Sequence, residues 1–122
     1  QGSMEEIYAV AHKFTAFMCC SDYYAVTLMK YLKAKGIRFP EDLSITGFDD
    51  NLYAQLACPS LTTIHQDIFQ RGTIAAEYLF KMIDGWNPKT TNLSLPVRLV
   101  VRDSVKILNP TEDDSSDDGS AL

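Results

Sequence analysis

The chain has few cysteines, and they form no recognisable motif. Cys19, Cys20 and Cys58 are an odd number without a Cys-x-x-Cys spacing. This pattern indicates neither a zinc site nor a disulfide framework, and it favours a reducing, cytoplasmic setting. No apolar stretch approaches the roughly 20 residues that a membrane helix needs. We therefore expect no membrane association.

The sequence also lacks the common motifs of catalysis and cofactor binding. It contains no glycine-rich phosphate loop, no redox pair and no Ser/His/Asp order, and the lone Gly47 satisfies none of these patterns. His12 and His65 have no suitable local partners for a metal. We therefore predict no catalytic residues, no cofactor and no metal, and we do not expect an enzyme.

An excess of basic charge is missing as well. The net charge is −5, and five acids lie within the last twelve residues. Residues 1 to 110 are balanced, with eleven acids against eleven bases, so this body has no basic stripe for nucleic acid. The polar, acidic segment 111–122 is predicted to be a disordered tail. Residues 1–3 resemble a tag remnant and are left out of the predicted fold.

The chain does have a clear alternation of helical and strand patterns, which is typical of an α/β fold with a largely parallel sheet. A doubly wound sheet usually has about five or six strands, so part of the fold is expected to lie outside this chain. The predicted helices are 4–13, 22–35, 51–57 and 67–84, and the predicted strands are 14–19, 43–48, 61–65 and 93–102.

The segment 36–50 is the most informative part of the sequence. Gly36 suits a helix end and Pro40 prevents helix continuation, so the apolar run that follows predicts a strand. Asp49 comes directly after that strand, where ligands dock on parallel α/β sheets. A carboxylate can accept hydrogen bonds from neighbouring sugar hydroxyls. The alternative is that Asp49 caps the next helix, although Asp50 fits that role better.

Ser21 and Asp22 follow the first strand as Asp49 follows the second, so both loops should lie at one rim of the sheet. They fit a ligand-binding cleft and equally well the N-terminal cap of the next helix. Three aromatic residues flank this rim and fit either stacking on a sugar or ordinary packing. They are Tyr23, Tyr24 and Tyr53.

An ordered set of motifs then gives a specific resemblance. Ser21-Asp22 with Ala25, the segment 36–50 with its Gly-Phe-Asp-Asp end, Pro59-x-Leu-Thr-Thr-Ile64, Gly72 and Val100-Val-Arg-Asp-Ser104 resemble the lac-repressor (LacI/GalR) family of bacterial transcription regulators. The resemblance covers about residues 14 to 105 and corresponds to the C-terminal portion of the family's effector-binding region. It implies a truncated type I periplasmic-binding-protein fold with Rossmann-like layers.

The resemblance also implies domain boundaries and residue roles. Residues 4–61 would belong to the C-terminal subdomain, 62–92 would form a crossover and a helix of the N-terminal subdomain, and 93–110 would hold the return strand. The effector, a sugar or sugar derivative, would contact Asp49, Ser21, Asp22 and Phe48. The homodimer interface would include Val26, Met29, Leu56 and Ala57.

The resemblance therefore predicts the effector-sensing and dimerisation part of a sugar-responsive repressor. DNA would be bound only through an N-terminal helix-turn-helix that is missing here. The alternative is a solute-binding protein of a sugar transport system, which shares the fold.

Overall fold

The computed structural model describes residues 3–89 and 92–108, and its helices and strands alternate as predicted. The predicted acidic tail, 111–122, lies outside the described residues. In chain order the elements are α1 (Met4–Ala11), β1 (Ala16–Met18), α2 (Asp22–Ala34), β2 (Ser44–Thr46), α3 (Leu52–Leu56), β3 (Thr63–Gln66), α4 (Ile68–Ile83) and β4 (Val97–Val100).

The strands form two small sheets that meet at β2 and β3. β1 pairs with β2 in parallel, and β3 pairs with β4 antiparallel. Two isolated parallel bridges, Thr46 to Thr62 and Asp49 to His65, connect the two sheets. The predicted parallel arrangement therefore holds from β1 to β3, and only β4 runs against it.

The core lies where α2 and α3 cover β2. The predicted apolar stripe of α2 is buried over its whole length, with Ile45 of β2 and Leu61 beneath it. The stripe consists of Ala25, Leu28, Met29 and Leu32. Its burial attaches the start of α2 firmly to the end of β2, and both of these ends lie at the predicted rim.

Helix ends follow the predicted signals. Gly36 after α2 and Gly85 after α4 have φ of +92° and +93°, a conformation that glycine adopts without steric cost. The Asp67 side chain caps α4 by accepting a hydrogen bond from the amide of Gln70. Ser3 forms a capping box with Glu6 at the start of α1, so a residue assigned to a tag remnant takes part in the fold.

β1 differs from its prediction in both length and burial. It was expected over residues 14–19 and buried on both faces, but it spans three residues. Met18 is 89% exposed, and Phe14 is also exposed. The prediction was wrong because, among the described residues, β1 is an edge strand with β2 on one side only.

α4 has an apolar face that nothing in the described part of the chain covers. None of its sixteen residues is buried. Its exposed apolar side chains include Ile68, Phe69, Leu79, Phe80, Met82 and Ile83. No helix of the described residues is long and apolar enough to cross a membrane.

Candidate functional site

The loops after β1 and β2 meet at one rim of the sheet, as the sequence predicted. The amide of Cys19 donates to the carbonyl of Thr46, and the amide of Asp22 donates to the carbonyl of Phe48, both over 2.9 Å. These bonds hold the first turn of α2 against the Gly-Phe-Asp-Asp loop, 47–50. We refer to residues 47–50 as the rim loop.

The side chain of Asp22 holds the rim loop in place. Its side chain is fully buried, Oδ1 accepts from the Thr63 hydroxyl over 2.5 Å, and Oδ2 accepts from the Asn51 amide over 2.8 Å. Both oxygens of the carboxylate are thus engaged by the protein, and a buried carboxylate is costly to leave unpaired. This geometry gives Asp22 a positioning role.

Asp49 lies at the end of the rim loop, half-buried and held by β3. Its amide donates to the carbonyl of Ile64 over 2.9 Å. Its Oδ1 accepts from the Gln66 side-chain amide over 2.5 Å, and Arg71 Nη1 donates to the Oε1 of Gln66 over 3.0 Å. These bonds orient the Asp49 carboxylate and leave Oδ2 without a protein hydrogen bond among those recorded for the described residues.

The backbone at Asp49 and Asp50 is unusual. Their φ angles are +107° and +56°, in a region that residues other than glycine rarely adopt and that costs on the order of 1–3 kcal/mol per residue. Such a conformation persists only where the surrounding contacts determine it. Contacts with neighbouring residues must therefore hold the backbone of the rim loop in this conformation.

Asp50 does not cap α3, so that prediction was wrong. Asn51 is the cap, since its Oδ1 accepts from the amide of Tyr53. Asp50 instead binds Arg102 Nη2 over 2.5 Å and His65 Nδ1 over 2.9 Å, and its side chain is nearly buried. Burial by itself raises the pKa of Asp50, but the hydrogen bonds and charges of Arg102 and His65 outweigh it and lower the pKa below its usual value.

Asp49 faces an open cavity of about 560 Å³ between the rim loop and the start of α4. A cavity of this volume is in the range of small-molecule sites. Its lining mixes carboxylates, amides and one exposed aromatic ring. The lining residues are Asp49, Asp50, Asn51, His65, Gln66, Asp67, Ile68 and Phe69.

Phe48 lies on a different cavity from Asp49. It lines an apolar space of about 420 Å³ beside Cys19, Ile64 and Leu99. Burial, with a smaller contribution from Cys20, raises the pKa of the Cys19 thiol, which disfavours the reactive thiolate. Ser21 is half-buried at the start of α2, and its hydroxyl makes no capping hydrogen bond.

The predicted dimer residues converge on another face. Val26, Met29, Leu56 and Ala57 line one depression of about 330 Å³ between α2 and α3. Met29 is buried there, whereas Leu56 is 74% exposed. Beside them Tyr23, Tyr24 and Tyr53 pack edge to face, with ring centroids 5.7 Å apart, while all three rings remain exposed.

Comparison with known proteins identifies the family of this chain. The family model for the periplasmic binding protein-like domain matches residues 2–105. The chain belongs to that family. A probable HTH-type transcriptional repressor, ExuR of Bacillus subtilis, is 32% identical over 106 residues, which are 87% of this chain and 32% of the repressor.

Two solved structures place this periplasmic-binding-protein-like chain among the lac-repressor-type regulators. A complex of the transcriptional regulator CelR with cellobiose superposes with a TM-score of 0.77 at 32% identity, covering 83% of this chain and 31% of CelR. The lac repressor dimer bound to operator and the anti-inducer ONPF gives 0.71 at 27% identity, covering 84% and 36%. The LacI/GalR resemblance and the expected fold class are thus confirmed, and the chain spans about a third of these relatives.

Three residues near the rim loop of this chain were not assigned a role from the sequence. His65, Gln66 and Arg102 now lie around the two aspartates. Arg102 belongs to the Val-Val-Arg-Asp-Ser motif, but its partner Asp50 is 52 residues away, so no local spacing indicates the pair. Within residues 3–89 and 92–108, no three His, Cys, Asp or Glu side chains converge to hold a metal ion.

Proposed function

We propose that this chain is the effector-sensing and dimerisation part of a sugar-responsive bacterial transcription repressor. The observation that carries the proposal is the Asp49 carboxylate, which is oriented by Gln66 at the carboxyl end of β2 and faces a cavity of about 560 Å³. The relatives are named as repressors rather than as enzymes, which supports a binding role without catalysis.

In this proposal Asp49 accepts hydrogen bonds from two adjacent effector hydroxyls. The Gln66 bond occupies Oδ1 only in part, since each carboxylate oxygen has two acceptor sites. Ser21 contributes from the same rim, and Asp22 holds the loop in place without touching the effector. Phe48 lines the separate apolar cavity of about 420 Å³, so in this proposal it supports the rim loop rather than the effector. The exposed ring of Phe69 is positioned to cover one face of a sugar ring.

The exposed apolar face of α4 supports a two-subdomain arrangement in the full-length protein. Its side chains need a covering surface, and the relatives are about three times longer than this chain. We infer that residues 62–92 pack on an N-terminal subdomain, which also forms the second wall of the effector cleft. An effector that binds the closed arrangement more tightly than the open one shifts the population toward closure.

DNA binding belongs to another part of the full-length protein in this proposal. The balanced charge of residues 1–110 offers no phosphate-binding surface. We propose that an N-terminal helix-turn-helix contacts the operator in the cytoplasm. A homodimer would set the spacing of the two helix-turn-helix units, and its interface would include Val26, Met29, Leu56 and Ala57.

The test is a thermal-shift screen of the full-length gene product against mono- and disaccharides, including cellobiose and sucrose. We expect at least one sugar to raise the melting temperature, because a ligand that binds only the native state stabilises it. Asp49→Asn should lower the affinity for that sugar by about tenfold or more, since a charge-assisted hydrogen bond is lost.

The matched control is Asp84→Asn, which also removes one carboxylate but lies at the far end of α4. It should leave the sugar-dependent shift unchanged. An equal shift in wild-type protein and Asp49→Asn would remove Asp49 from the site.

A further inference from the structure

We propose that Arg102 is a positioning residue that holds the rim loop in its ligand-ready conformation through the carboxylate of Asp50. Arg102 does not line the 560 Å³ cavity, so its effect on any ligand would be indirect. The proposal concerns the conformation of the loop. Only its consequence for sugar affinity rests on the proposed function.

The rim loop needs a restraint of this kind. Asp49 and Asp50 are consecutive non-glycine residues with positive φ, and the intrinsic preference of both is to leave this conformation. Within residues 3–89 and 92–108, the Asp49 amide donates to the carbonyl of Ile64, whereas the Asp50 amide makes no backbone hydrogen bond. Asp50 is held through its side chain.

Arg102 is anchored well enough to act as that restraint. Its Nη1 donates to the carbonyl of Leu61 over 2.9 Å while Nη2 donates to Asp50 over 2.5 Å. Its backbone amide donates to the hydroxyl of Thr62 over 2.9 Å, and this hydroxyl donates back to the carbonyl of Arg102 over 3.2 Å. The guanidinium thus forms a rigid bridge between Leu61, which precedes β3, and Asp50 in the rim loop.

The charges around Asp50 make this contact strong and pH-sensitive. Arg102, after β4, and His65, on β3, face its two oxygens. Asp49 is its chain neighbour, Asp67 at the start of α4 lines the same cavity, and the buried Asp22 binds the next amide. Arg102 is the permanent cationic partner of Asp50, since an arginine side chain stays protonated.

Removing Arg102 would leave burial acting on Asp50, with His65 as its remaining partner. Burial already favours the neutral acid, so the pKa of Asp50 should rise from its lowered value toward or above its usual one. In Arg102→Gln the remaining restraint is the bond between the Asp50 carboxylate and His65, which is present when Asp50 is ionised and is lost as the pH falls through its pKa. In Arg102→Gln the loop should therefore loosen at a higher pH than in wild-type protein.

The test is hydrogen exchange of the peptide covering residues 47–51, measured by mass spectrometry on the full-length gene product without ligand. At neutral pH, Arg102→Gln and Asp50→Asn should each speed exchange of this peptide by roughly tenfold or more. Arg102→Lys should restore part of the protection, because it keeps the charge but not the guanidinium.

The control is Arg38→Gln, which removes an arginine from the exposed Arg38–Asp42 ion pair away from the rim loop. At every pH, peptide 47–51 should exchange at the same rate in this variant as in wild-type protein. Relative to this control at the same pH, Arg102→Gln should show an additional acid-induced rise in exchange, and the double variant Arg102→Gln/Asp50→Asn should not.

Unchanged exchange in both Arg102→Gln and Asp50→Asn would overturn the proposal. If Arg102→Gln fails to fold, the exchange of peptide 47–51 in Asp50→Asn alone tests the proposal, because this substitution preserves the shape of the side chain. Protein that loosens at 47–51 but binds no sugar in any form would retain the positioning role and contradict the proposed function instead.

Discussion

Gly47, the residue that follows β2, lies directly against the buried carboxylate of Asp22. A Cβ atom at this position would be 2.3 Å from Asp22 Oδ1, 2.8 Å from Leu61 Cδ2 and 3.1 Å from the Cα of Asp22. The carboxylate cannot move aside easily, because Thr63 and Asn51 donate to its two oxygens. The close approach of α2 to β2 therefore requires glycine at the entrance to the rim loop.

We predict that Gly47→Ala destabilises the 122-residue chain by about 1–3 kcal/mol, the usual cost of overpacking a filled interior. Urea denaturation followed by circular dichroism measures this difference. The matched control is Gly72→Ala in α4, where a Cβ atom would meet nothing within 4 Å. It should stabilise the chain by up to about 1 kcal/mol, because alanine is the better helix former. Equal effects of both substitutions would contradict the proposed crowding.

At the residue scale, the sequence indicates which positions border the rim but not how they pair. Asp49 follows an apolar strand pattern, and this pattern places it at the rim. The role of Asp50 depends on Arg102 and His65, which lie far away in sequence, so the prediction of a local cap failed. Asp22 has a cap-like sequence position, yet its carboxylate is used inside the fold.

Among the elements, α4 differs most from an ordinary surface helix. It has an N-terminal cap at Asp67 and a glycine after its last turn, so its ends are well formed. Its apolar side chains nevertheless remain exposed in the described part of the chain. Isolated amphipathic helices gain most of their stability from packing, so α4 should be the least protected helix of the 122-residue chain.

We predict that amides of residues 68–83 exchange at least about tenfold faster in the 122-residue chain than in a full-length gene product in which the proposed second subdomain covers α4. Hydrogen exchange with mass spectrometry compares the two proteins. α2 is the internal control, since its stripe is already buried here. Equal exchange of α4 in both proteins would mean that no additional domain packs on it.

The elements themselves were predictable where their ends carry strong signals. α2 and α4 begin and end within a residue or two of the expected positions, because caps and glycines mark them. β1 was predicted twice as long and buried. The sequence shows that Phe14 and Met18 are apolar, but it does not show whether this chain contains an element that covers their side chains.

For the whole molecule, the face that combines α2 and α3 is the proposed homodimer contact. We predict that Leu56→Glu, at a position that is 74% exposed in the single chain, shifts the full-length protein from dimer to monomer. Two glutamates brought into an apolar interface would lose their hydration without a partner. Sedimentation velocity at several protein concentrations measures this change.

The control for that experiment is Ile107→Glu, at a position that is 91% exposed and distant from the α2–α3 face in sequence. It should leave the sedimentation coefficient unchanged. A dimer that persists in Leu56→Glu, or one that is lost equally in the control, would remove this face from the interface.

The overall fold and family follow from the order of motifs, since caps, glycines and the Gly-Phe-Asp-Asp end are local features. The chain spans about a third of the length of its relatives, so its sequence carries no signal for the proposed second wall of the cleft or for the proposed DNA-binding part. In the proposed function the effector's identity depends on contacts from both walls of the cleft, so Asp49 and Ser21 alone would not specify it.

We propose that a ligand bound at Asp49 changes the DNA affinity of the full-length protein. The direct measurement is fluorescence anisotropy of full-length protein on DNA from upstream of its own gene, with and without the sugar that raises its melting temperature. We expect that sugar to change DNA affinity by about fivefold or more in wild-type protein and in Asp84→Asn, and not in Asp49→Asn. DNA affinity that stays the same with sugar in all three proteins would show that a ligand at Asp49 does not control DNA binding.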